Sequence, residues 1–178
     1  PTDRHPKFKD KSALEVILTT LHSGGKFSGK AYVTSGGLHG VGLSVVNALS
    51  DKLEIEVARD RTLWRQTYTR GVPDGPLENA GKVSNRRGTT TKFHADPQIF
   101  GKQTHFRPAT MYRMARSKAY LFRGVEIRWT CAAKLIRGDD ATPESATLHF
   151  PGGLVDYLQG TLADRKLLTP APFSGQAG

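Results

Sequence analysis

The stretch TSGGLHGVGLSVVNALS, residues 34–50, joins a glycine-rich turn to the beginning of a helix. Its glycines, at positions 36, 37, 40 and 42, allow positive φ and bring consecutive backbone N–H groups close to a ligand. The helix that follows presents its positive end to an anion. The stretch therefore predicts a cradle for phosphate, although a plain glycine turn before a buried helix accounts for the same residues equally well.

The cradle differs from the two commonest nucleotide-binding motifs. No Gly-Lys-Ser/Thr sequence ends it, as a Walker A loop requires, and no GxGxxG sequence follows a strand. Lys26, in the loop before the cradle, could reach phosphates when that loop closes, or it could be a solvated lysine. His39 could donate to a phosphate oxygen, cap the helix or face solvent, and spacing alone does not separate these roles.

Helices are predicted on both sides of that loop. Residues 12–22 carry apolar side chains at helical spacing, and Ser12 and Glu15 form a capping box. Residues 26–37 lack an apolar period and predict a loop of the kind that serves as a lid or binding loop. After the cradle, helical spacing predicts a helix that buries four apolar residues: Val41, Val45, Ala48 and Leu49.

The rest of the chain alternates between strand and helix patterns. Residues 53–60 and 63–71 alternate apolar and polar side chains around a short polar turn, which predicts an antiparallel hairpin. Proline and glycine predict a loop at 71–81, and β-branched residues predict a strand at 88–96. The other predicted elements are a helix at 108–121, strands at 124–131 and 145–150, and a short helix at 152–162. This order predicts an α+β fold, in which an antiparallel or mixed sheet carries helices on one face.

The composition describes a globular chain with a strong positive charge. With 178 residues, of which 37% are hydrophobic, the chain can bury one core. Its net charge of +10 predicts attraction to DNA, RNA, acidic lipid or nucleotide phosphates. No apolar run approaches the roughly 20 residues of a membrane span, and residues 1–12 lack the apolar core of a secretory signal. We therefore expect a cytoplasmic protein.

Cysteine and histidine give no sign of a metal site. Cys131 is the only cysteine, so an internal disulfide is excluded and a thiolate zinc site would need ligands from elsewhere. The six histidines are scattered, and none forms the HxxxH or HExxH spacing that places two imidazoles on one helical face. We expect no metal bound by ligands of this segment alone.

Three segments, taken together, resemble a known group of ATPases. They are LHSGGKF at 21–27, SGGLHGVGLSVVNALS at 35–50 and RRGTTTKF at 86–93. In this order they resemble the B subunits of the bacterial type IIA DNA topoisomerases, gyrase and topoisomerase IV, and the resemblance runs over essentially the whole chain. These proteins belong to the GHKL group, with heat-shock chaperones, mismatch-repair ATPases and histidine kinases. The segment PATMYRMARSKAYLFRGVEIRW, residues 108–129, is more similar to topoisomerase IV.

The resemblance implies a fold and a set of ATP-binding residues. The fold would be a GHKL, or Bergerat-type, sandwich truncated at its N-terminus, with the ATPase domain at 1–150 and the start of the transducer domain at 151–178. The triphosphate would lie against the backbone of Gly37, Leu38, His39, Gly40, Val41 and Gly42. Lys26 would come from the lid, Tyr32 would line the nucleotide, and Thr89 would bond toward the adenine through water. Arg59 would lie at the rim where aminocoumarin inhibitors bind this family.

The resemblance also implies what this chain lacks. In the family, a helix with the catalytic Glu and the magnesium-binding Asn, and then a D-x-G-x-G-I-P turn, come before the position of Pro1. No catalytic residue is therefore expected in this segment, although ATP and Mg²⁺ are the expected cofactors.

The implied function is that of the ATP-binding part of an ATP-dependent topoisomerase, which drives clamp closure during DNA strand passage, decatenation and relaxation. The implied partners are DNA, the A-type DNA-cleaving subunit and, once ATP binds, a second B subunit. Two alternatives are a gyrase B subunit, which would introduce negative supercoils, and a non-enzymatic basic module that binds nucleic acid.

Charged residues outside the motifs have simpler interpretations. Five basic residues surround the predicted helix at 108–121: Arg107, Arg113, Arg116, Lys118 and Arg123. They could contact DNA, but a solvated helix face is the more usual meaning of such a run. Four acidic residues are interpreted as turn or outward strand residues rather than as a catalytic pair: Asp139, Asp140, Glu54 and Glu56.

Overall fold

The computed structural model describes residues 2–23, 39–103, 105–138 and 141–163, with Arg165, Thr169 and Gly175. The chain divides into two compact units, Pro1–Thr104 and His105–Gly178. The first contains α1 (Ala13–Thr19), α2 (Gly42–Ala48), β1 (Ser50–Arg59), β2 (Thr62–Thr69), β3 (Val72–Pro73), β4 (Glu78–Lys82), β5 (Gly88–Ala95) and α3 (Pro97–Phe100). The second contains α4 (Pro108–Leu121), β6 (Glu126–Thr130), a 3-10 turn (Ala133–Leu135), β7 (Ser145–His149) and α5 (Leu154–Leu162).

The first unit is built on an antiparallel sheet. Its strands lie in the order β3-β2-β1-β5, and β4 also pairs with β2. The predicted hairpin of β1 and β2 is confirmed, with Arg59 opposite Thr62. Asp60 and Arg61 form its turn with φ of 53° and 59°, which is the backbone that a two-residue hairpin needs to match the strand twist.

The core of this unit lies between α1 and one face of the sheet. Leu14 and Leu18 of α1 join Leu53, Ile55 and Val57 of β1 and Tyr68 of β2 in one buried cluster. Leu53 and Tyr68 are fully buried and face each other across the two strands. Each such side chain stabilises the fold by roughly 1.5–3 kcal/mol, so this cluster fixes the face that the sheet turns inward.

Helix α1 begins where the capping box predicts. The Ser12 hydroxyl accepts a hydrogen bond from the Glu15 N–H at 3.1 Å. The Glu15 carboxylate does not complete the box: it pairs with Lys11 at 3.3 Å and accepts from the Gln66 amide at 3.3 Å. The helix start is therefore confirmed, and its carboxylate links α1 to β2.

The predicted buried face of α2 is wrong. Val45 and Leu49 are 41% and 38% exposed, Ala48 is exposed, and Ser44 and Asn47 are buried instead. The reason is the Asn47 amide, which donates to the Leu18 carbonyl at 3.0 Å and to the Gly71 carbonyl at 3.3 Å. These bonds turn the polar side of α2 toward α1, which a count of apolar spacing does not reveal.

The loop predicted at 71–81 is also wrong in part, because β3 lies within it and β4 begins within it. Both pair with β2 at the edge of the sheet, where proline does not interrupt a ladder. A register shift between Leu63 and Trp64 accommodates β4, and Gly81 there has a φ of 111°. Every residue of β4 is exposed, so no apolar alternation marked it. The short helix α3, which Asp96 caps, was not predicted either.

The second unit combines two helices with a two-stranded sheet, as predicted. α4 has the predicted bounds, and β6 pairs with β7 from Glu126 opposite His149 to Thr130 opposite Ser145. The Tyr120 ring of α4 stacks on Phe150 at 3.7 Å and meets the edge of Tyr157 at 5.3 Å. These aromatic contacts hold α4, the end of β7 and α5 together. No helix in the described part of the chain is long and apolar enough to cross a bilayer.

Candidate nucleotide-binding region

Strand register brings two of the predicted site residues to one end of the sheet. Thr89 of β5 lies opposite Val57 of β1, and Arg59 follows two residues after Val57. Because side chains alternate along a strand, Thr89 and Arg59 share the face on which Val57 is buried. Thr89 is exposed, as is Arg59, so the core face of the sheet continues at this end into an open surface.

Arg59 is held there by two carboxylates. Its Nη1 lies 3.1 Å from an Asp3 oxygen, and its Nε lies 3.3 Å from an Asp60 oxygen. All three side chains are largely exposed, and ion pairs of this kind contribute about 0–1 kcal/mol. The guanidinium is therefore oriented at this end of the sheet, but it can leave these carboxylates at little cost. No local pattern in the sequence signals the contact with Asp3, which lies 56 residues away.

The open surface extends along β5. Thr91 and Phe93 lie opposite Ile55 and Leu53, so they share the core face with Thr89. Both are exposed, and Phe93 is 43% accessible. The Thr89 and Thr91 hydroxyl groups and the Phe93 ring thus form a row beside the apolar core. Such a surface suits a ligand with a flat ring and polar groups at the edges of that ring. Sequence reasoning identified Thr89 and missed the other two residues, which the alternation of β5 could have indicated.

The described part of the cradle comprises His39, Gly40, Val41 and Gly42; Lys26, Tyr32, Gly37 and Leu38 lie outside the described residues. Gly40 has a φ of 62°, in the region that favours glycine. Gly42 is the first residue of α2, and a side chain there would meet nothing within 4 Å. Of these two glycines, Gly40 is the one whose backbone needs glycine.

Two contacts join α1 and the residues just after it to the cradle and to α2. The His22 Nδ1 lies 3.0 Å from the His39 carbonyl oxygen, and Asn47 of α2 donates to the Leu18 carbonyl. The Val41 carbonyl in turn accepts from the Ser44 hydroxyl at 3.0 Å and from the Val45 N–H at 2.9 Å. Backbone and buried amide contacts thus fix the end of the cradle relative to the core.

The opposite face of the sheet carries a charged network. Arg65 and Arg86 each approach a Glu56 oxygen at 2.6 Å, and Arg86 also donates to the Thr90 hydroxyl at 2.9 Å. Hydrogen bonds from Arg65 and Arg86 lower the pKa of Glu56, so its carboxylate is a charged structural group rather than a proton acceptor. This agrees with the interpretation of Glu54 and Glu56 as outward strand residues. Asp139 and Asp140 lie outside the described residues.

Comparisons with known proteins identify relatives of this chain, although no family model matches it. Over 99% of its length the chain is 57% identical to the DNA topoisomerase 4 B subunit of Bartonella bacilliformis and 54% identical to that of Caulobacter vibrioides. Over 94% of its length it is 43% identical to the DNA gyrase B subunit of Thermotoga maritima. It spans about a quarter of the length of these relatives.

The fold comparison agrees. The chain superposes over its full length, with a TM-score of 0.75 and 30% identity, on the 43K ATPase domain of Thermus thermophilus gyrase B, solved in complex with an aminocoumarin. It covers 42% of that domain. The chain is related in sequence and fold to a segment of the type IIA topoisomerase B subunits. The resemblance and the α+β fold class predicted from the sequence are confirmed.

Two predictions are left without a test by this relationship. The roles of individual ATP-site residues remain predictions, and so does the division into an ATPase domain at 1–150 and a transducer domain from 151. The second compact unit, His105–Gly178, includes residues on both sides of that predicted boundary. Among the described residues, no three His, Cys, Asp or Glu side chains come together as a metal site would require.

Proposed function

We propose that this chain supplies part of the ATP site of a type IIA DNA topoisomerase of the topoisomerase IV kind. In the whole protein, ATP binding would close a dimeric clamp and hydrolysis would reset it while DNA strands pass. The observation that carries the proposal is the 57% identity to a topoisomerase IV B subunit over 99% of the chain, against 43% to a gyrase B subunit. Decatenation and relaxation, rather than negative supercoiling, are the corresponding activities.

The proposed ATP-binding residues are those of the sequence analysis, and two of them, Gly40 and Thr89, have supporting geometry, as does the proposed inhibitor-rim residue Arg59. Gly40 has a backbone that lets N–H groups approach a phosphate closely. Thr89 offers a hydroxyl on the open end of the core face, and Arg59 lies at the same end with two weak ion pairs. Lys26, Tyr32, Gly37 and Leu38 lie outside the described residues, so their assignment rests on the sequence.

The proposal draws its general base and its magnesium ligand from parts of the whole protein that lie outside this chain. The described residues bring no set of metal-binding side chains together, and the charged Glu56 is already bound by two arginines. We therefore assign no residue here to Mg²⁺ and no catalytic step to this segment. The proposed partners of the whole protein are DNA, the DNA-cleaving A-type subunit and a second B subunit.

Nucleotide-dependent stabilisation tests the ATP site. A ligand that binds the folded state selectively raises the melting temperature, by the equivalent of about 2.7 kcal/mol at 100 times its Kd. We expect a non-hydrolysable ATP analogue to raise the melting temperature of the 178-residue chain. Gly40→Val should abolish the increase, because a β-branched side chain opposes positive φ and blocks the approach of a phosphate.

The matched control is Gly75→Ala. Gly75 has no positive φ, and a side chain there meets nothing within 4 Å. This variant should keep the full response to the analogue. An unchanged response in folded Gly40→Val would remove the cradle from the site, and the absence of any response in the unmodified chain and in the complete protein would reject the proposal.

The choice between the two topoisomerases needs the complete protein together with its A-type partner. We expect ATP-dependent decatenation of linked DNA circles without negative supercoiling of relaxed plasmid. ATP-dependent introduction of negative supercoils would instead identify the protein as part of a gyrase.

A further inference from the structure

Helices α4 and α5 of the second unit line an open groove of about 390 Å³. Arg113, Arg116, Ser117 and Tyr120 line it from α4, at the spacing that places residues on one helix face. Tyr157 and Gly160, three residues apart on α5, line the opposite wall. The groove thus lies between one face of each helix and contains the central part of the basic run that the sequence shows.

The described lining of the groove is positively charged. α4 has no acidic residue between Pro108 and Leu121, and none of the described residues that line the groove carries a carboxylate. The described residues provide neither an ion pair nor a hydrogen bond for the Arg113 guanidinium or the Ser117 hydroxyl. The contrast is Arg128 of the same unit, which pairs with Glu126 at 2.6 Å. Two neighbouring guanidinium groups without a carboxylate favour an anion between them.

The groove is also held in shape. Tyr120 is 8% exposed and is fixed between Phe150 and Tyr157. The Arg116 guanidinium donates to the Tyr120 hydroxyl at 3.4 Å and lies 5.8 Å from the centre of its ring. A buried ring therefore orients one of the two arginines, so that less side-chain entropy is lost when an anion binds.

Gly160 keeps the groove open. A side chain added at this position would meet nothing within 4 Å, so the space beside it is part of the groove rather than a packing contact. Glycine within a helix costs about 1 kcal/mol relative to alanine, and no contact in the described residues explains it. Tyr157, which is 54% exposed, adds an aromatic rim that a sugar can contact.

We propose that the groove between α4 and α5 binds a backbone phosphate of duplex DNA. Arg113 and Arg116 would bind the phosphate oxygens, with the Ser117 hydroxyl as a further donor, and Tyr157 would contact the adjoining sugar. The choice of DNA rests on the proposed function, since DNA is the polyanion that a topoisomerase handles. Phosphate contacts of this kind position a protein on DNA without reading its sequence.

The test is the binding of a fluorescent duplex of about three helical turns to the 178-residue chain, measured by anisotropy over a range of salt concentrations. Arg113→Ala combined with Arg116→Ala should weaken binding roughly 10- to 100-fold at about 0.1 M salt and reduce the salt slope by about one for each lost contact. Gly160→Leu should weaken binding similarly without any change of charge, because its side chain fills the groove. Circular dichroism would show that both variants fold.

The control is Lys134→Ala combined with Arg137→Ala, which removes the same charge from exposed positions of the same unit outside the groove. It should weaken binding far less. Equal losses in the control and the arginine pair would overturn the proposal, because general charge would then explain the binding. Unchanged binding by folded Gly160→Leu would overturn it as well.

Competition separates the possible sources of phosphate. Unlabelled duplex DNA should displace the probe, whereas millimolar inorganic phosphate should not. Displacement by inorganic phosphate at that concentration would indicate a site for the free ion and overturn the proposal, as would tighter binding of duplex RNA. The response of the melting temperature to the ATP analogue should persist in both groove variants, so a failure of the ATP site and a failure of the groove give different results.

Discussion

The two faces of the sheet in the first unit are made from alternate residues of the same strands, yet they are stabilised differently. On the core face, Leu53, Ile55 and Val57 are buried against α1. On the polar face, Glu54 and Glu56 face arginines that remain nearly half exposed. Burial of apolar area supplies most of the stability of a fold, whereas exposed ion pairs contribute little. Ligand-binding groups can therefore occupy the end of the core face, where burial stops, without weakening the unit.

The largest expected effect comes from the core face. Leu53→Ala should lower the free energy of unfolding by about 2–5 kcal/mol, because it removes buried methyl groups and leaves a cavity against Tyr68. Urea denaturation followed by circular dichroism measures this value. The matched control is Val72→Ala on edge strand β3, where the side chain is 64% exposed, and a change within about 0.5 kcal/mol is expected there. Similar losses at both positions would contradict the distinction between core and periphery.

Acid should weaken the ion pairs and leave the core face intact. Hydrogen bonds from Arg65 and Arg86 lower the pKa of Glu56, and bonds from Arg70 and from the Gln98 N–H lower the pKa of Asp96. A carboxyl whose folded pKa is depressed adds stability above its ordinary pKa, and this stability is lost as the pH falls through the lowered value. We therefore expect the melting temperature to fall as the pH drops below the ordinary values of 4.5 and 3.8.

Two variants test whether these carboxyl groups cause the fall of the melting temperature in acid. Glu56→Gln and Asp96→Asn should each melt lower than the unmodified chain at neutral pH and show a smaller further loss in acid. Asp10→Asn, at an exposed position before α1, serves as the control and should keep the acid dependence of the unmodified chain. Parallel melting curves in all four proteins would show that these ion pairs do not cause the loss.

The sequence predicted the elements whose signals are local. The helix start at Ser12, the alternation of β1 and the helix from Pro108 to Leu121 all depend on residues close together in the chain, and each is confirmed. The buried side of α2 was mistaken because Asn47 bonds to carbonyl groups 24 and 29 residues away. Strand β4 was missed because its pairing with β2, rather than any apolar pattern, defines it.

The candidate site likewise combines features with a local sequence signal and features that depend on the folded chain. The glycine-rich turn and Thr89 were recognisable from sequence motifs, and the positive φ of Gly40 follows from glycine itself. The proximity of Arg59 and Thr89 depends on the register of β1 and β5, and the pairing of Arg59 with Asp3 depends on the folded chain. In the second unit, the sequence predicted the basic face of α4. The groove also needs α5 as its other wall, and no sequence pattern predicted that packing.

The smallest effect on stability, and the most specific effect on binding, is expected at Arg59. Its two ion pairs are exposed, so Arg59→Ala should change the free energy of unfolding by no more than about 1 kcal/mol. The family resemblance assigns Arg59 to the rim where aminocoumarins bind, and a hydrogen bond to a charged group contributes about 1.5–3 kcal/mol. On that assignment, removal of the guanidinium should weaken aminocoumarin binding roughly 10- to 100-fold. Titration calorimetry measures this loss, and Lys92→Ala is the control, because register with Glu54 places Lys92 on the polar face of β5. If Lys92→Ala lowered the affinity for the inhibitor as much as Arg59→Ala, a loss of positive charge on either face would explain the weaker binding. The end of the core face would then not be the rim of the site.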